Sequence, residues 1–144
     1  MTDNYIKIEF PSMSVNESFA RAVIGSFSAR LDPTLEELGD IKTAVSEAVT
    51  NCIVHAYPDT LGIITMRARI NEDILEIQIK DAGIGISDIR QAREPMFSTG
   101  GEERSGMGFT IMDSFMDKMR VRSEPEKGTT VTMWRRIVRR SPLR

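Results

Sequence analysis

Cysteine and histidine are nearly absent: the chain has one of each, Cys52 and His55. A single thiol excludes an intramolecular disulfide, and one thiol with one imidazole excludes a Cys/His zinc cage within one chain. No apolar run approaches the roughly 18 residues of a membrane-spanning helix. The first residues, Met1-Thr2-Asp3-Asn4, carry neither a basic region nor an apolar signal core. Positive charge is not in excess: 19 Lys and Arg stand against 21 Asp and Glu, a formal net charge of −2. That argues against direct nucleic-acid binding, which wants a basic footprint. No repeat, low-complexity tract or Pro/Gly linker divides the chain. The expectation is one soluble, cytoplasmic domain over residues 1–144, with no membrane partner. With 40% hydrophobic residues, a chain of this size can bury a core without disulfides.

Tyr5 to Phe10 alternates, with Ile6, Ile8 and Phe10 on one face, as a half-buried strand does. Ser14 with Glu17 reads as a capping box. The helix it opens is expected to reach about Leu31, with Phe19, Val23 and Phe27 inward, and Asp32-Pro33 ends it. Thr34 and Glu37 read as a second box. The helix behind it carries Leu35, Leu38, Ile41, Val45, Ala48, Cys52 and Ala56 as an apolar stripe and closes at Pro58. Strands follow at about Ile63 to Ile70 and Ile74 to Asp81, joined at Asn71-Glu72-Asp73. A Gly-rich stretch to Gly85 leads into a short helix capped by Ser87. Glu94 to Gly108 is long for a connection, the mark of a functional or mobile loop. Phe109 to Met116 reads as a helix, and Val121 with Thr129 to Trp134 as a final hairpin. Early helices and late strands predict an α/β (α+β) two-layer sandwich, a mainly antiparallel sheet with helices on one face. The basic tail, 135–144, reads as a frayed end. Cys52 and the methionines, Met107, Met112 and Met116 among them, read as packing. Trp134 is placed in the core or at a half-buried edge.

Three clusters carry chemistry. Glu47, Asn51 and His55 recur at four-residue spacing and share a helix face. A carboxylate one turn from a carboxamide offers a base and an oxygen ligand; magnesium needs few protein oxygens when phosphates supply the rest. Asp81-Ala82-Gly83-Ile84-Gly85 leaves an apolar strand, and its carboxylate can accept from an exocyclic amine such as adenine's. Its glycines permit a ligand to approach the backbone. Arg104-Ser105-Gly106-Met107-Gly108-Phe109 runs glycines into a helix start, where free N–H groups favour anions. Taken singly, each has an ordinary reading: a polar face, a turn, a helix entry. Their order is specific. The phosphate loop G-x-x-x-x-G-K-[ST] is absent, as are the V-A-I-K, H-R-D and D-F-G signatures of eukaryotic-type kinases.

With these residues in this order, the chain resembles the GHKL (Bergerat) ATP-binding superfamily, which holds gyrase, a class of heat-shock chaperones, histidine kinases and a mismatch-repair protein. Ser46-Glu47-Ala48-Val49-Thr50-Asn51 resembles its N box. Asp81 to Gly85 and Gly106-Met107-Gly108 resemble its glycine boxes, and Glu94-Pro95-Met96-Phe97-Ser98-Thr99 the start of its ATP lid. Within it, the nearest likeness is to the bacterial anti-sigma factor serine kinases. The runs Asn16 to Arg21, Leu31 to Thr34, Ser46 to Asn51 and Glu103 to Met112 resemble the sporulation branch that acts on sigma F.

That resemblance implies an anti-sigma factor that holds an RNA polymerase sigma factor inactive. It also implies a kinase, using Mg-ATP, that phosphorylates a serine of an anti-anti-sigma factor, and a homodimer. Carried over by residue, Glu47 is the catalytic base and Asn51 the magnesium ligand. Asp81 reads the adenine amine, Gly83 and Gly85 lie beside base and ribose, and Gly106 and Gly108 cradle phosphates. Thr130 lies near adenine, Arg104 near the terminal phosphate and the partner, and Arg21 on the partner surface. His55, at the helix end, is read first as a cap on carbonyls. Two other readings stay open: a binding module with ATP as a structural ligand, and a free-standing ATPase. No upstream dimerisation helix with a phospho-accepting histidine is expected, a departure from histidine kinases.

Overall fold

A computed structural model of the chain describes residues 3–85 and 108–138. Five strands form one sheet: β1 (Asn4–Pro11), β2 (Ile63–Asn71), β3 (Ile74–Asp81), β4 (Lys118–Glu124) and β5 (Gly128–Arg136). Their order is β1-β2-β3-β5-β4, and every neighbouring pair is antiparallel. Among the described residues, three α-helices pack beside the sheet: α1 (Val15–Ser28), α2 (Leu35–Asn51) and α3 (Gly108–Phe115). The expected two-layer α+β architecture is the one observed.

Alternation decides which face of the sheet is wet. Met66, Ala68 and Ile70 on β2 register with Ile79, Ile77 and Leu75 on β3, Ile79 and Ile77 with Val131 and Met133 on β5, and Ile64 on β2 with Phe10 on β1. All are buried, and they meet Ile24 of α1 and Ile41, Val45 and Ala48 of α2 in one core. Each such Ile or Val contributes roughly 1.5–3 kcal/mol by leaving water. The opposite face carries polar side chains, Arg67, Gln78 and Arg120 among them. Trp134 lies half-buried on that outer face, under Lys118 and Arg120 at 5.2 and 5.6 Å from its ring, and its Nε1 donates to Glu76 at 2.8 Å.

Several expectations need correction. The Ser14–Glu17 box does not form: Ser14 is in the helical region and makes no side-chain cap. Glu17 is engaged elsewhere, accepting from Ser46 Oγ on α2 at 2.5 Å and from Arg21 at 3.3 Å. Ala20, Ile24 and Phe27 form the buried face of α1, while Phe19 is 52% exposed. Leu35 is likewise in solvent, so the stripe of α2 begins only past its first turn. The helix of α1 ends in a 3₁₀ turn, Ala29–Leu31, and Asp32 takes a left-handed conformation at φ 54°.

Arg135 and Arg136, counted above with the frayed tail, are the last residues of β5. The Arg135 guanidinium bridges three elements, donating to Asp40 of α2 at 3.3 Å and to the Phe115 carbonyl at the end of α3. Arg136 pairs with Asp73 at 2.8 Å. Met112 and Met116 are buried, as expected of packing residues. The Ser87 helix, Met107 and the rest of the tail from residue 139 lie outside the described residues.

The Thr34 box forms in both directions. Thr34 Oγ1 accepts from Glu37 N at 3.0 Å, and Glu37 accepts from Thr34 N at 2.8 Å. Thr34→Ala therefore costs about 1 kcal/mol of stability, whereas Ser14→Ala costs close to nothing. Urea melts of both variants check this; equal losses would contradict the geometry.

Candidate functional site

The last residue of α2, Asn51, runs into a wider turn. Cys52–Ala56 forms a π-turn, closed by Tyr57 N donating to the Cys52 carbonyl at 3.1 Å. Such turns recur at functional sites. This one aims two groups at the end of β3. The Cys52 thiol donates to Asp81 Oδ2 at 3.4 Å. The Ala56 carbonyl accepts from Ile84 N at 3.1 Å. The segment from Asp81 to Gly85 is thereby held against the end of the helix.

Asp81 is buried, with 6% of its surface exposed. Burial pushes its carboxyl above the usual value; bonds from Gly83 N, the Cys52 thiol and Thr129 N pull the other way without cancelling it. Gly83 N donates to Oδ1 at 3.0 Å and Thr129 N to the same oxygen at 3.2 Å. Tyr57 finishes the frame. Its hydroxyl accepts from Ala82 N at 2.7 Å and donates to the Ile63 carbonyl at 3.0 Å, tying the loop to β2.

Glycine is required in this loop by the protein itself. A Cβ on Gly83 would lie 2.3 Å from the Ala56 carbonyl oxygen, and one on Gly85, whose φ is +76°, 2.1 Å from that of Glu124. Close approach of the chain's own carbonyls thus explains both residues before any ligand is considered.

Glu47 and Asn51 lie one turn apart on α2, both half-buried. Asn51 lies against the start of α3: a Cβ on Gly108 would sit 3.1 Å from Asn51 Oδ1. The N-box helix and the helix start that follows the second glycine run are therefore in contact. His55 belongs to the π-turn rather than to α2. Arg21, on α1, is 43% exposed at its side chain and reaches Glu17 at 3.3 Å and Ser46 Oγ at 3.4 Å, next to Glu47. Arg104, Gly106 and the lid segment from Glu94 lie outside the described residues.

Thr130 is not beside Asp81. Strand alternation puts it in register with Lys80 and Arg122, on the outer face. Thr129 is the residue paired with Asp81, buried and bonded to it, and its hydroxyl lies 2.7 Å from Ser123 Oγ. Counting by two from Asp81 across the β3–β5 pair is the signal that distinguishes the two threonines, and it requires the register.

The chain is similar to known proteins. Residues 11–135 fit the family model described as Histidine kinase-like ATPase domain. An anti-sigma F factor of Caldanaerobacter subterraneus subsp. tengcongensis is 54% identical, covering 95% of this chain and 96% of that protein. That of Clostridium perfringens is 50% identical over 94% and 98%. Another, from Halalkalibacterium halodurans, is 49% identical over 94% of each. The chain belongs to the anti-sigma F factor family.

Its fold is that of the wider GHKL group. The mycobacterial sensor histidine kinase MprB superposes with a TM-score of 0.55 over 69% of this chain and 71% of that one, at 22% identity. The family's domain is an ATPase and kinase-like one, which binds ATP or ADP. No helix among the described residues is long and apolar enough to cross a membrane.

The raised carboxyl of Asp81 has a consequence for stability. Its folded pKa exceeds the unfolded 3.8, so the buried carboxylate weakens the fold above the raised value. That penalty is relieved as pH falls through the raised value toward 3.8. Asp81→Asn removes the charge. The melting temperature of the variant minus that of the parent is then greatest at neutral pH and shrinks on acidification within this window. A difference independent of pH would contradict the assignment.

Proposed function

We propose that this chain is an ATP-dependent protein serine kinase that also holds an RNA polymerase sigma factor, sigma F, inactive. Its phosphoryl acceptor is a serine of an anti-anti-sigma factor. The observation that carries this reading is the convergence of Glu47 and Asn51 of α2, the Gly108 start of α3 and the thrice-bonded Asp81 around one end of the sheet. The family membership supports the choice of partner.

The adenine amine donates to the Asp81 carboxylate, with Thr129 rather than Thr130 beside it. Gly83 and Gly85 shape the loop next to base and ribose. Gly106 and Gly108, the latter the first residue of α3, receive the phosphates at a helix N-terminus, where main-chain N–H groups and the dipole favour anions. Arg104 supplies a positive charge to the terminal phosphate and to the partner.

A magnesium ion suits the donor set. Among the described residues no group of three or more acidic, histidine or cysteine side chains could cage a metal. The Asn51 carboxamide would supply one oxygen ligand, the rest being left to phosphates and water. Bound there, the ion would neutralise phosphate charge.

Glu47 accepts the proton of the serine hydroxyl. The serine oxygen bonds to the γ-phosphorus, the bond from that phosphorus to the bridging oxygen breaks, and ADP leaves. Positioning and charge stabilisation suffice for such a transfer. Arg21 belongs to the partner surface. A homodimer completes the proposal.

Glu47→Ala is expected to lower serine phosphorylation at least about hundredfold, the low end for a general base, and to leave ADP affinity within about twofold. Intact-mass analysis of the anti-anti-sigma protein after incubation with Mg-ATP, beside calorimetric ADP titration, reads both. A single phosphoserine with the parent and none with the variant is the expected pair. Full phosphorylation by the variant would remove Glu47 from the role. No phosphate with the parent, despite ADP binding, would leave a nucleotide-gated binding module.

A further inference from the structure

The two oxygens of Asp81 are held unequally. Oδ1 takes two main-chain N–H groups, from Gly83 and Thr129. Oδ2 is met by the Cys52 thiol, at 3.4 Å. A thiol is a weak donor, so an oxygen that accepts from it keeps most of its acceptor strength. Oδ1 is saturated by strong donors, whereas Oδ2 is oriented yet still able to accept.

The thiol is set there by the backbone. Cys52 opens the π-turn, is 5% exposed, and belongs to the hydrophobic core on its other sides. An ordinary thiol, with a pKa of about 8.5, keeps its proton at neutral pH and so has one to donate. A space-filling role would call only for a small apolar side chain at this place. The S–H placed against a buried carboxylate is a further feature.

We infer that Cys52 is a positioning residue for recognition of the nucleotide base: its S–H fixes the direction of Asp81 Oδ2 and leaves that oxygen to accept the exocyclic amine. The inference rests on the proposed role of Asp81 as the adenine acceptor. It assigns the selective oxygen as Oδ2 and makes base affinity depend on a donor in the helix-end turn.

Three substitutions separate donor from filler. Cys52→Val fills the space without a donor, Cys52→Ala removes both, and Cys52→Ser keeps a donor. Val and Ala are expected to weaken ADP binding about threefold to tenfold, the worth of one ordinary hydrogen bond, with Ser within about twofold of the parent. In the kinase assay the loss falls on KM for ATP rather than on kcat. Thermal melts report packing separately. Because the chain has a single cysteine, its infrared S–H stretching band is unambiguous. The band lies at the lowered frequency of a bonded thiol in the parent and moves to the free position in Asp81→Ala.

Parent-like ADP affinity in both Val and Ala, or a Ser variant as weak as Val, overturns the inference, as does a free-thiol band in the parent. Asp81→Asn tests the reading beneath it. If that variant binds ADP as the parent does, the adenine assignment fails. If it loses ADP while all Cys52 variants retain it, the assignment stands and the role of Cys52 falls.

Discussion

A carboxylate out of water must be hydrogen-bonded, or it costs more than the fold can bear. Asp81 meets that condition by drawing donors from three places: its own loop at Gly83, strand β5 at Thr129 and the helix-end turn at Cys52. Each of these elements is then tied to the others through one side chain. The loop cannot move away from β5, nor α2 from the sheet, without stripping the carboxylate of a partner. The constraint that keeps Asp81 buried is the one that builds the site.

The helix layer extends this rigidity toward the surface. Ser46 sits on α2 beside Glu47 and bonds to Glu17 of α1, which also holds Arg21. A side chain on the proposed partner surface thus reaches the residue adjacent to the proposed base, both directly and through Glu17. At the far end of the same helix layer, Arg135 joins α2, α3 and β5. Half-buried at 17% exposure, it is a structural cation, and its partners lie far away in the sequence.

Local signals were legible where local forces decide. Strand alternation gave the inner faces of β1 to β3, and the Thr34–Glu37 box forms with both of its hydrogen bonds in place. Ser14 and Glu17 carry the same pattern, yet tertiary bonds to Ser46 and Arg21 claim the glutamate. The π-turn has no sequence signature, so the placement of Cys52 under Asp81 could not be read from spacing. Its burial could, from the apolar stripe. Thr129 and Thr130 are adjacent and chemically alike; only the register across β3 and β5 tells them apart. Arg135 and Arg136 read as tail because Asp40 and Asp73, which pair with them, are 95 and 63 residues away.

The central claim is that Asp81 reads the exocyclic amine of adenine. Calorimetric titration of the unaltered protein with ADP and with inosine diphosphate addresses it without any mutation. The two ligands differ at the base, where a carbonyl and a ring N–H replace the amine and a ring acceptor. A buried acceptor facing a carbonyl loses its bond and gains repulsion, so inosine diphosphate should bind at least about tenfold more weakly. Equal affinities would contradict the claim and return Asp81 to a purely structural role.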